Sequence, residues 1–128
     1  MEVKETTIKS MSEHVSFLLT LSIKPGQFEN LKTLVTEMVE TNQKNEVGTL
    51  IFEWAISEDR QSCDIYERYR DSAAFLQHVE GFANFAARFL EILTPTRLLV
   101  YGTPSQQVKD AISGFNPIFM APFGGFSR

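Results

Sequence analysis

Residues 49–70 read TLIFEWAISEDRQSCDIYERYR, and the period of two at both ends of this stretch decides the fold. In the first run Leu50, Phe52, Trp54 and Ile56 share one side, with Ile51, Glu53 and Ala55 on the other; this is the alternation of a strand over Thr49–Ser57. Ser57, Glu58, Asp59, Arg60 and Gln61 form a polar turn. Cys63–Arg70 then alternates again, so the two runs predict an antiparallel hairpin.

Upstream, His14–Lys24 places Val15, Phe17, Leu19, Leu21 and Ile23 on one side of a further strand, which Pro25 and Gly26 end. Phe28, Leu31, Leu34, Val35 and Met38 then recur at helical spacing to about Asn42, an amphipathic helix. Downstream, Asp71 or Ser72 is a suitable N-cap for a helix with Phe75, His78, Val79 and Phe82 on one stripe. Gly81 interrupts that helix. Phe82, Phe85, Ala86, Phe89 and Leu93 continue it until Thr94 and Pro95, and Arg97–Gly102 makes a last strand. The order β-α-β-β-α-(α)-β predicts an α+β, ferredoxin-like domain with helices on one face of a four-stranded antiparallel sheet. Leu18, Ile51, Ala55, Leu98 and Val100 fall among the alternate-face residues. A sheet with one wet face alternates more cleanly, so the expectation is a homodimer closed through that face.

The remaining composition bounds the rest. A chain of 128 residues with 43% hydrophobic content fits one domain. Eleven Phe imply a need for aromatic surface. The net charge is −4, and Lys24, Lys32, Lys44, Arg60, Arg68 and Arg88 are scattered, which argues against nucleic acid as a partner. Cys63 is the only cysteine, so no internal disulfide forms and a reducing, cytoplasmic setting is expected. Residues 1–13 read as a frayed leader without the apolar stretch of a secretory signal. No window approaches the roughly 20 apolar residues of a membrane-crossing helix, so a soluble protein with no membrane partner is expected. The domain proper spans 14–103. Residues 104–128 hold a short helix over Ser105–Ser113 and the segment GFNPIFMAPFGGFSR. Its Phe115, Ile118, Phe119, Met120, Phe123 and Phe126 are too apolar to stay in water, and they are expected to pack on the dimer.

The hairpin and following helix, IYERYRDSAAFLQHVEGF with Tyr66, Glu67, Tyr69, Asp71, Ala74 and His78, preceded by IFEWAIS, resemble the antibiotic biosynthesis monooxygenase (ABM) domain family over about His14–Gly102. The resemblance implies a dimeric α+β barrel. The same pattern serves cofactor-independent monooxygenases of phenols or quinols, haem-degrading enzymes and a quorum-signal isomerase. Haem-degrading relatives have an asparagine in strand one and a histidine on the last long helix; this chain has neither, since Val15–Lys24 lacks Asn and FANFAARFLEIL lacks His. Tetracyclic polyketide monooxygenases use a Trp, a Tyr, an Asn and an Arg around the cavity, and the resemblance offers Trp54, Tyr66, Asn84 and Arg88 for those places.

Each candidate carries two readings. His78 is either a general base for a phenolic or enolic proton or a structural tie to Glu67 or a backbone carbonyl. Trp54, Tyr66, Tyr69, Phe75, Phe82 and Phe85 either line a ligand cleft or pack core and dimer. Arg88 either stabilises a developing anion or is solvated. Glu53 and Glu67 are a base or ion-pair partners of Arg68 or Arg97, and Cys63 is an inert strand residue. His14 and His78 are far apart and no HxxxH, HExxH or CxxC occurs, so no metal site is expected. No GxGxxG follows a strand, so no dinucleotide is expected. The resulting expectation is a monooxygenase with no cofactor, acting on a small hydrophobic, aromatic or quinol-like ligand. The alternatives are a non-catalytic dimeric binding protein and an isomerase using His78 for proton transfer.

Overall fold

The computed structural model describes residues 13–128, so the leader expected over 1–13 lies outside the described residues except for Glu13. The chain runs β1 (Val15–Ile23), α1 (Phe28–Asn45), β2 (Thr49–Ile56), β3 (Ser62–Tyr69), α2 (Ser72–Phe82), α3 (Ala86–Ile92), β4 (Leu93–Gly102), α4 (Gln106–Ile112), a 3-10 turn (Ser113–Phe115) and β5 (Ile118–Met120). These elements make the ferredoxin-like α+β fold, with an open sheet in the order β2-β3-β1-β4-β5. The Asp71 carboxylate accepts from the Ala74 N–H at 2.9 Å and caps α2. The Ser105 hydroxyl caps α4 by accepting from Val108 N–H at 3.3 Å.

The sheet differs from the expected four antiparallel strands in having a fifth. Ile118–Met120 pairs parallel to Leu99–Tyr101. The four apolar residues 118–121 between Pro117 and Pro122 carry no alternation, so only the free edge of β4 makes a strand of the first three. β4 also starts earlier than Arg97, at Leu93. Pro95 is accommodated because the β1 pairing skips Thr96, with Thr20 opposite Arg97 and Leu21 opposite Pro95; a bulge is where a residue without an N–H does least harm.

The assignment of Leu98 and Val100 to the alternate face is corrected by the register. Leu98 sits opposite Leu19 and Val100 opposite Phe17, and both are buried in the helix-side core. Arg97, Leu99 and Tyr101 take the other parity; a run such as LLVY is apolar on both. Opposite the helices lie Leu18, Tyr66 and Leu99, paired across β1, β3 and β4. Ile118 and Met120 of β5 stand beside Leu99 and Tyr101.

Between sheet and helices the core divides in two. One cluster gathers Val15, Phe17, Tyr69, Ala74, Phe75, Leu98, Val100, Val108 and Ile112. The other gathers Leu21, Leu31, Leu34, Met38, Cys63, Ile65, Phe89, Ile92 and Leu93. Leu19 packs against both, and the candidate site opens along the seam.

Candidate active site

A cavity of about 230 Å³ lies at that seam, floored by Phe17, Leu19, Phe52, Ile65 and Leu98 and roofed by Met38, Phe75, Val79, Phe82 and Phe89. Its polar lining side chains are Glu67 and His78. They reach it from different elements. Glu67 belongs to the inward-facing row Cys63, Ile65, Glu67, Tyr69 of β3, a carboxylate in a row that is otherwise buried and mostly apolar. His78 lies one turn after Phe75 on α2, on the face turned to the sheet.

A third group, Glu46, joins them from the end of α1. His78 Nδ1–H donates to Glu46 Oε1 at 2.9 Å, and the Thr49 hydroxyl donates to the same oxygen at 2.8 Å. On the other side of the ring, Nε2 stands 3.5 Å from Glu67 Oε1, which also accepts from the Tyr69 hydroxyl. Two small residues bring these parts together. A Cβ at Gly48 would collide with Ala74, so glycine there lets α2 settle on the α1–β2 turn. A Cβ at Gly81 would stand 3.3 Å from Glu46 Oε2, so the glycine inside α2, unfavourable for a helix by itself, gives the carboxylate room.

Glu46, Glu67 and His78 are each no more than 7% exposed, and their environments push them apart. Burial raises the Glu67 carboxyl above its usual range, and the favourable charge of His78 and the Tyr69 hydrogen bond only partly offset it. Burial acts against the charged forms of Glu46 and His78 too. At Glu46 it is outweighed by the hydrogen bond and charge of His78 and by the Thr49 hydroxyl, so that carboxyl falls below 4.5; at His78 it is outweighed by the Glu46 hydrogen bond and by the electrostatic pull of Glu67 and Glu46, so the imidazole rises above 6.5. The result is an ionised Glu46 that fixes the imidazole, beside a Glu67 that holds its proton more tightly than an ordinary carboxyl. Groups poised this way in an apolar cavity can take a proton from a bound molecule and return it.

Among the other candidates, Phe75 and Phe82 line the cavity. Tyr69 is buried behind it, its hydroxyl on Glu67. Trp54 packs on two lining rings, 6.1 Å from Phe52 and 6.2 Å from Phe89, without lining the cavity itself. Phe85 packs on the second cluster. Tyr66 has the opposite parity to Glu67 and is brought to the helix-free face, paired with Leu18 and Glu53. Arg88 lies on the outside of α3, paired with Glu37 and 5.9 Å from the Phe85 ring centre. Asn84 is exposed after α2. Burial and neighbouring Asp64 lift the Cys63 thiol to about 11, which leaves it unreactive. Arg68 donates to His14 Nδ1 at 2.7 Å instead of pairing with Glu67.

Sequence reasoning missed Glu46, which lies past the helix end expected near Asn42; only tertiary contact reveals it. It also missed Ala111, Ile112 and Phe115, which line the cavity from beyond the family-like region. Among the described residues no group of three or more His, Cys, Asp or Glu is placed to hold a metal ion, and no helix is long and apolar enough to cross a membrane.

Residues 15–96 match the family model described as antibiotic biosynthesis monooxygenase. Among the curated proteins no relative matches the sequence. Among solved structures, MupZ from Pseudomonas fluorescens superposes with a TM-score of 0.80 at 19% identity, covering 91% of this chain and 95% of its own. A conserved protein from Methanosarcina mazei gives 0.64 at 15%, covering 74% and 97%. SnoaB from Streptomyces nogalater, described as a cofactor-independent oxygenase, gives 0.61 at 13%, covering 73% and 96%. At these identities the likeness is one of fold.

Proposed function

The chain belongs to the antibiotic biosynthesis monooxygenase family, and from that premise we propose that it is a cofactor-independent monooxygenase of a small aromatic or quinol-like substrate. The observation that carries the reading is the Glu46–His78–Glu67 cluster opening into an otherwise apolar cavity. Difficult oxygen chemistry normally needs a cofactor. An oxygenase without one requires a substrate whose anion itself passes electrons to dioxygen, so the protein's task is to make that anion. His78 is the base: Glu46 accepts from Nδ1–H and so leaves Nε2 as the ring nitrogen that takes the proton. The imidazolium that forms is stabilised by the Glu46 carboxylate. Glu67 stands beside Nε2 with its own proton as the second proton carrier, and the phenylalanine walls shape the space for a flat ring.

The same pair can return the proton to a different atom of the substrate, which makes an isomerase the second reading; the pairing of two proton carriers on one cavity favours it. The helix-free face, with Tyr66 and Tyr101 each 37% exposed and Ile118 and Met120 nearly half exposed, supports a homodimer. Oxygen uptake on a panel of quinols and polyketide-like phenols separates the two reactions. His78→Gln abolishes turnover of the substrate found while the fold survives; retained turnover in a folded variant refutes the assignment.

A further inference from the structure

We propose that the chain beyond the family-matched core, through Ala111, Ile112 and Phe115, sets how long an apolar arm the cavity admits beside the acid–base pair. This rests on reading the cavity as a substrate site. The family match ends at residue 96, yet α4 and the turn after it supply Ala111, Ile112 and Phe115 to the lining. The extension is firmly seated. Val108 and Ile112 are 0% and 4% exposed in the cluster with Phe17, Phe75 and Leu98. The Ser105 N–H also donates to the Ser72 hydroxyl at 3.0 Å, tying the start of α4 to the start of the helix that carries His78. One turn apart on α4 and its continuation, Ala111 and Phe115 remain exposed and form the rim.

The register shows which end of the cavity this rim controls. Phe52 of β2 stands beside Glu67 of β3, Glu67 beside Phe17 of β1, and the neighbouring Leu19 beside Leu98 of β4. With strands about 4.8 Å apart, the floor from β2 to β4 is about 14 Å wide. Glu67 is then about 5 Å from the Phe52 end and about 10 Å from the β4 end, where Leu98 and Val100 share a cluster with Val108 and Ile112 of α4 and the turn holding Phe115 meets β4. A ligand whose acidic O–H meets Glu67 and His78 therefore extends its longer apolar arm toward Ile112, Ala111 and Phe115. The substrate class that fits is a phenol or enol carrying its bulk on the side away from the acidic group, with the extension as the stop.

The test uses the full chain and a series of 4-alkylphenols from methyl to octyl, read through Trp54, the only tryptophan, which packs on two lining rings. Affinity rises about fourfold per methylene accepted and levels off at a limiting length. Ala111→Phe is expected to bring that limit to a shorter arm, and Phe115→Ala to a longer one. Both positions are exposed, and thermal melts confirm folding of the two independent variants. An unchanged limit in both folded variants overturns the proposal. Failure of every phenol to bind the wild type overturns this proposal and the substrate-site reading together. A limit that moves while no phenol or quinol is turned over leaves the rim assignment standing and refutes the monooxygenase reading alone.

Discussion

Removing Glu46 by leucine and by glutamine separates the charge of this residue from its hydrogen-bonding oxygen. Glu46 and His78 are 6% and 7% exposed and joined at 2.9 Å. Leucine leaves the imidazole facing no partner at Nδ1 and strands the Thr49 hydroxyl; breaking a buried pair this way costs about 3–5 kcal/mol. Glutamine keeps an acceptor for both donors. It loses only the difference between a hydrogen bond to a charged group, about 1.5–3 kcal/mol, and a neutral one near 1 kcal/mol, so about 1 kcal/mol net. In a domain of this size each kcal/mol shifts Tm by about 4 °C, so the leucine variant is expected to melt at least about 10 °C below the wild type and the glutamine variant about 4 °C below. The pH dependence follows from the directions of the shifts. His78 is raised above 6.5 in the fold, so its contribution is complete below pH 6.5 and is lost as pH climbs through the raised value. Glu46 is lowered below 4.5, so its contribution is complete above pH 4.5 and is lost as pH falls through the lowered value. The gap between wild type and the leucine variant is therefore widest between pH 4.5 and 6.5 and narrows on either side. Melts at pH 3, 5.5 and 9 measure it, and ring-proton NMR is expected to show His78 titrating at lower pH in the glutamine variant. A leucine variant as stable as the wild type at pH 5.5, or a gap that does not narrow with pH, refutes the cluster as drawn.

Glu67 is raised mainly by burial, so ionising it costs stability as pH passes upward from 4.5; Glu67→Gln, which still accepts from Tyr69, is expected to be at least as stable as the wild type at pH 8 while losing turnover, by thermal melts and an oxygen electrode. If the helix-free face closes a dimer, light scattering at micromolar concentration reports about twice 14.5 kDa, and a monomer counts against it. Phe123 and Phe126 are 96% and 74% exposed in the single chain, and we propose that a second copy covers them. Burying two such rings is worth about 3 kcal/mol or more. Deleting residues 121–128, which spares β5, is then expected to weaken the dimer more than a hundredfold by sedimentation, and an unaffected dimer shows that the rings pack elsewhere.

The sequence by itself determined the β-α-β-β-α-α-β order, because a period of two in residues 15–23 and 49–70 and a period near 3.6 in residues 28–42 and 72–93 are local signals, and it pointed His78 inward because that residue shares a stripe with Phe75 and Phe82. It also brought Glu67 into view as a possible partner of His78. Tertiary structure alone decided the rest. Glu46 became part of the site because α1 ends where α2 can press Gly81 and His78 against it; no spacing links positions 32 residues apart. Leu98 and Val100 went to the core because the bulge at Thr96 sets the parity of β4. Ile118–Met120 became a strand because β4 offered an unpaired edge, and Tyr66 and Arg88 came to lie away from the cavity because neighbouring side chains on a strand or helix point to different faces. Periodicity states which residues share a face, but only the packing of one element on another states what that face meets.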